Sequence, residues 1–235
     1  MFKHTFKYLI LGSAILALAF YFWVKTLAAP VPQTSAQANL GTDDGHITPL
    51  HPEIAQTIRG VLQEGDLVFR GRNHSWGQMG AKLSDKDKRF GHVGVALNQD
   101  GVWHVIDAGG HPLADDATVA EAPLNAFLYS AQRAAVYRPN LEASAQHIFI
   151  ERLEWHAASL TPFDGKFDLA TPDTLYCTEL VWAALIEATG EDLVSEHTMW
   201  KGRRVIALDD LQFANGMAEV ISASIDVTKL ARRTH

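Results

Sequence analysis

Apolar and polar positions divide this chain into three regimes. Residues Tyr8 to Val24 form an uncharged run, with Lys3 and Lys7 before it and Lys25 behind it. Residues Pro30 to about Gly45 show no hydrophobic period and are rich in Pro, Ala, Gln, Thr, Ser and Gly. From about residue 51 onward, helical and strand periods alternate, as expected of a folded domain. The expected organisation is a signal anchor or signal peptide over 1–29, a linker over 30–50, and one folded domain over 51–235.

Within that domain, Pro52 suits the first position of a helix, and Ile54, Ile58, Val61 and Leu62 make one face of a helix ending near Gly65. Residues 66–70 read as a strand. Gly71 to Gly80 reads as a loop or a loosely wound helix start, and Asp85 to Arg89 as a solvated turn. Residues 91–97 read as a strand, Asn98-Gln99-Asp100-Gly101 as a hairpin turn, and 102–108 as the returning strand. Side chains alternate along a strand, so loop length decides which residues share a face. A two- or four-residue loop puts His92 and Asp107 on one face and His104 on the other. A three-residue loop would bring His104 beside His92 instead, and Asp-Gly favours the even loop. Gly109 to Phe127 reads as mostly loop, 134–138 as a strand ended by Pro139, and 144–160 as a helix. In that helix, His147 and His156 read as surface or satisfied side chains. Residues 205–208 and 218–225 read as late strands. This order gives an α+β domain, an antiparallel sheet packed with helices.

Charge and cysteine count narrow the function. A formal net charge of −7 over 235 residues argues against a nucleic-acid binder. One cysteine excludes an internal disulfide framework and Cys-based zinc sites, and no HExxH pattern exists, so neither a metal nor another cofactor is expected. Lysines on the short leading side of the Tyr8–Val24 run imply export of the rest of the chain, and a domain anchored in the inner membrane or released into the periplasm.

The single cysteine lies in Thr174-Leu175-Tyr176-Cys177-Thr178-Glu179-Leu180-Val181-Trp182. Leu180, Val181, Ala184, Leu185 and Ala188 recur at helical spacing, Gly190 is a stop, and Asp173 or Thr174 suits the N-cap. Cys177 therefore falls in the first turn, where free N–H groups and the helix dipole stabilise an anion. A thiolate there is a nucleophile, although a lone cysteine is more often a small buried apolar residue. His92 on a strand and Asp107 on the same face supply the remaining parts of a Cys-His-acid hydrolase. Glu179 reads as a helix-dipole and backbone partner, Tyr176 as packing, and Asp66 as the anchor of a loop near the site. Ser75 and Trp76 are candidates for lining a groove.

Four pieces in order carry a family resemblance: Gly65 to Phe69, Gly91-His92-Val93-Gly94-Val95, Pro162 to Phe167, and Tyr176-Cys177-Thr178-Glu179-Leu180-Val181. They resemble the YiiX/YebB-like branch of the NlpC-type cysteine peptidases, which have a circularly permuted papain fold. The resemblance spans about residues 64–190. It implies Cys177 as nucleophile, His92 as base, and a carboxylate or polar group on the following strand, commonly glutamate. Asp107 is shorter by one methylene. The implied activity is amide hydrolysis through a thioester, with a small peptide or peptidoglycan fragment as substrate. Two alternatives stand beside it: a lipid acyltransferase or esterase of the lecithin-retinol-acyltransferase-like type, and a non-catalytic binding module.

Overall fold

The computed structural model describes residues 51–72, 79–109, 117–171 and 173–225. The expected N-terminal segment and linker lie outside these residues, as do Ser75 and Trp76. Among the described residues, no helix is long and apolar enough to cross a membrane.

Six strands form one antiparallel sheet: β1 (Leu67–Gly71), β2 (His92–Gln99), β3 (Val102–Ala108), β4 (Val119–Pro123), β5 (Arg133–Pro139) and β8 (Met217–Ser224). Their order across the sheet is β4-β3-β2-β1-β5-β8. A separate hairpin pairs β6 (Thr198–Trp200) with β7 (Arg203–Val205). The first helix is α1 (Pro52–Arg59), and a short α2 (Met79–Leu83) lies between β1 and β2. Alternation along the strands splits the core in two. Leu67, Phe69, Val93, Val95, Ile106 and Tyr137 share a layer with side chains of α4 (Ala143–Ala158) and α5 (Cys177–Thr189). Val68, Ala96, Val105, Ala134 and Val136 share the other with α1 and the short α3 (Leu124–Phe127). Burying both sheet faces is the main source of stability in such a layered domain.

The β2–β3 hairpin turns through two residues, with Gln99 opposite Val102 and Leu97 opposite His104. Asp100 and Gly101 both have positive φ, 51° and 85°, as a type I′ turn requires. The even-loop register expected from the sequence is therefore the one adopted.

Several boundaries differ from the sequence reading, each for a local reason. Helix α1 stops at Arg59. Beyond it, the Asp66 carboxylate accepts the Gln63 N–H at 2.7 Å and holds a turn that competes with further helix. The segment read as loop before Phe127 contains β4 and α3. Ala120, Glu121, Ala122 and Pro123 have poor strand propensity, and only pairing with β3 makes them a strand. The charged run 85–89 is not simply solvated. Its backbone N–H groups at Asp85 and Lys86 donate to the buried Asp209 carboxylate at 2.8 and 2.6 Å. Of the strand expected over 205–208, only Val205 pairs, as the end of β7, and Leu208–Gln212 forms α6.

Candidate active site

Three strand ends meet at one end of the sheet. Arg70 lies near the end of β1, His92 opens β2 directly opposite it, and Asp107 stands near the end of β3. All three share one face by register. His92 Nε2 lies 3.3 Å from Asp107 Oδ2, with both side chains largely buried. The contact is within ion-pair distance once His92 is protonated, and Nε2 has no other hydrogen-bond partner among the described residues.

Glycine makes that approach possible. A Cβ on Gly94 would sit 3.0 Å from Asp107 Cβ and 2.5 Å from Val105 Cγ1. Both distances are inside normal contact, so a side chain there would push β3 and its carboxylate away from β2.

Cys177 is the first residue of α5. The N-cap is Tyr176, in extended conformation, rather than Asp173 or Thr174. Tertiary bonds displace the local cap that the sequence suggested. The wholly buried Tyr176 accepts the Ile206 N–H at its hydroxyl at 2.8 Å, and Thr178 Oγ1 donates to the Ile206 carbonyl at 2.6 Å. One backbone residue thus clamps both sides of Cys177. Gly190, with φ of 74°, ends the helix as expected, its N–H donating to the Ile186 carbonyl at 2.7 Å.

Glu179 reaches back to the Tyr176 N–H at 3.4 Å, as a helix-start carboxyl can. Burial first, and then the charges of Asp164 and Asp168, push its carboxyl up to about 8, against the Tyr176 N–H. It is therefore mostly protonated at pH 7, which limits its competition with the thiol for the anion-stabilising helix start.

The sheet end and the helix start influence each other. Burial disfavours the His92 imidazolium, but the charges of Asp107 and Cys177 outweigh burial and the opposing Arg70, so its pKa lies above the ordinary histidine value. Burial likewise disfavours ionised Asp107, yet His92, Arg70 and Arg72 hold its carboxyl below the usual carboxylate range. Cys177 belongs to the core layer of Val93 and Val95, on the opposite face from His92. The link between them is electrostatic: the charge of Cys177 acts on the His92 imidazole. No hydrogen bond joins imidazole and thiol among the described residues; such bonds are commonly looser before substrate binds.

His104 points to the opposite face and pairs with Glu121 at 2.6 Å, as the even register requires. His156 is satisfied by Thr161 Oγ1 at 3.0 Å. Asp66 does anchor a loop, but at the far end of β1 rather than near the site, where it pairs with Arg138. Arg70 and Arg72 were not legible as site residues, because a polar residue closing a strand reads as a solvated end. Among the described residues, no group of three or more His, Cys, Asp or Glu side chains is placed to hold a metal ion.

The crystal structure of metalloprotein yiiX from Escherichia coli O157:H7 superposes with a TM-score of 0.56 at 17% identity, over 69% of this chain and 98% of that one. That likeness is one of fold. No curated protein matches the chain. Residues 61–224 match the profile of the permuted papain-like amidase enzymes, YaeF/YiiX, C92 family, and that match covers the whole sheet, the α5 helix start and the His92–Asp107 pair. The chain belongs to this family of permuted papain-like amidases.

Proposed function

We propose that this protein is a cysteine amidase in which Cys177 is the nucleophile, His92 the base and Asp107 the residue that orients His92. The observation that supports this most is the His92–Asp107 contact of 3.3 Å on an imidazole whose titration also responds to Cys177. Asp107 engages Nε2, which leaves Nδ1 to take the thiol proton. The thiolate then attacks the amide carbonyl carbon, and the first-turn N–H groups of α5 bind the oxyanion. Collapse breaks the C–N bond, and the imidazolium gives its proton to the leaving amine. Water, deprotonated by His92, hydrolyses the thioester, and the released thiolate recovers the proton.

Peptidoglycan stem peptides are the proposed substrate class, because the N-terminal pattern fits export across a bacterial inner membrane. Incubating the full-length protein with purified stem peptides and reading fragments by mass spectrometry tests this. Amide cleavage lost in Cys177→Ser is expected. Products formed only from lipid esters would favour acyl transfer instead. A periplasmic reporter joined after residue 45 should be active, and a reporter active only in the cytoplasm would overturn the export reading.

A further inference from the structure

At and just beyond the site end of β1 stand two arginines, Arg70 and Arg72, that nucleophile, base and orienting acid leave unused. Arg70 stands directly opposite His92 in the β1–β2 register. Its Nη1 donates to the Phe127 carbonyl at 2.5 Å, and its guanidinium lies 4.5 Å from the centre of the Phe127 ring. That ring in turn packs against His92, with centroids 5.7 Å apart. Arg72 comes two residues later, and its buried Nε has no hydrogen-bond partner among the described residues. Both arginines are partly buried, and both feel the charge of Asp107.

Charge balance makes this unusual. Asp107 is the one carboxylate whose field is felt by Arg70 and Arg72 among the described residues, so two guanidinium groups face one carboxylate. Moving a proton from Cys177 to His92 does not alter the total charge. Burial lowers the Arg70 pKa to about 9, with Arg72 adding repulsion, yet Arg70 remains charged at neutral pH. Holding two desolvated cations together is unfavourable, and an unsatisfied buried donor adds to the cost. An anion relieves both, and the planar guanidinium fork is suited to carboxylate or phosphate oxygens.

We propose that Arg70 and Arg72 form a subsite for an oxyanionic group, carboxylate or phosphate, carried by the substrate beside the bond that Cys177 attacks. This rests on the assignment of Cys177 as the nucleophile. It deepens that assignment by predicting substrates with an acidic group next to the scissile amide.

The lone cysteine permits a test that needs no substrate. Iodoacetate and iodoacetamide both alkylate a thiolate by displacement of iodide, forming an S–C bond, and differ in carrying a carboxylate or an amide. Alkylation of Cys177 in the full-length protein is read by intact mass, with N-acetylcysteine as the free-thiol reference. The iodoacetate-to-iodoacetamide rate ratio should exceed the reference by roughly tenfold, the scale of one charge-assisted hydrogen bond. Arg72→Gln should return it toward the reference, and Arg72→Lys should keep part of it. Added acetate or inorganic phosphate should suppress the preference, and the concentrations needed show which oxyanion the subsite binds more tightly. A wild-type ratio equal to the reference, or one unchanged in Arg72→Gln, overturns the subsite while leaving the nucleophile intact. Failure of Cys177 to react with either reagent overturns the nucleophile, and the subsite with it.

Discussion

Arginine side chains gather near both ends of β1, and the two ends treat them in opposite ways. At the start of the strand, Arg138 meets the buried Asp66 carboxylate through Nε and Nη2, both at 2.7 Å, and Nη2 also reaches the Val61 carbonyl at 3.0 Å. Asp66 is filled further by the Gln63 N–H. Both charges of this pair are satisfied. At the other end, Arg70 and Arg72 face a carboxylate already engaged by His92. A closed ion pair fixes a loop against the sheet, whereas the open arrangement of charge is what the proposed ligand binding and proton transfer require. Perturbed titration combined with incomplete pairing is the pattern expected of a reacting site.

The contrast predicts that damage at the two ends is read out differently. Arg138→Met should strand a buried carboxylate and cost roughly 3 kcal/mol or more of stability, measured by urea unfolding. Activity per folded molecule should be nearly unchanged. A variant that stays stable but loses activity would contradict the division.

At the open end, Asp107→Asn should lower kcat by on the order of 10- to 1,000-fold, because an amide permits the wrong imidazole tautomer. The equivalent change in a serine protease costs about 10⁴-fold and sets an upper guide, since a thiol is more acidic from the start. Removing this negative charge also lowers the His92 pKa, so the limb of the rate profile that reports His92 should move to lower pH. His92 binds its proton more tightly folded than unfolded. Its contribution to stability is therefore full below pH 6.5 and fades as pH rises through the higher folded value. Thermal melts of wild type and Asp107→Asn should draw closer as pH rises across that range, and the gap that remains at high pH is the attraction of Arg70 and Arg72 for the Asp107 carboxylate.

Glu179→Gln gives a smaller and purely structural effect. The buried carboxyl is half ionised only near pH 8 in the fold but near 4.5 when unfolded. Wild type should lose stability as pH rises from 4.5 to about 8, and the glutamine variant should lack that slope. Equal slopes would show that Glu179 is ionised in the fold. His104→Ala should matter least. Its pairing with Glu121 is partly exposed and on the face away from His92, so the cost should be below about 1 kcal/mol and the rate close to wild type.

The parts of the fold legible in the sequence are those set by short-range physics. The Asp100-Gly101 turn set the register, and register placed His92, Asp107 and His104 on their faces without any knowledge of packing. Helical spacing after Cys177 located its helix to within the first turn. The parts that escaped depend on contacts distant in the chain. The N-cap at Tyr176 is held by Ile206, thirty residues later. Strand β4 exists through its pairing with β3. Arg70 acquires its place from Phe127 and His92, neither of which is near it in sequence.

The central claim is that Cys177 is a nucleophile activated by His92. An electrophilic peptidyl probe that mimics an amide, incubated with the full-length protein and read by intact mass, tests it most directly. One adduct on Cys177 in the wild type, formed far more slowly in His92→Ala of unchanged fold, is the predicted result. No adduct on Cys177 in the folded protein, or equal labelling in His92→Ala, would contradict it.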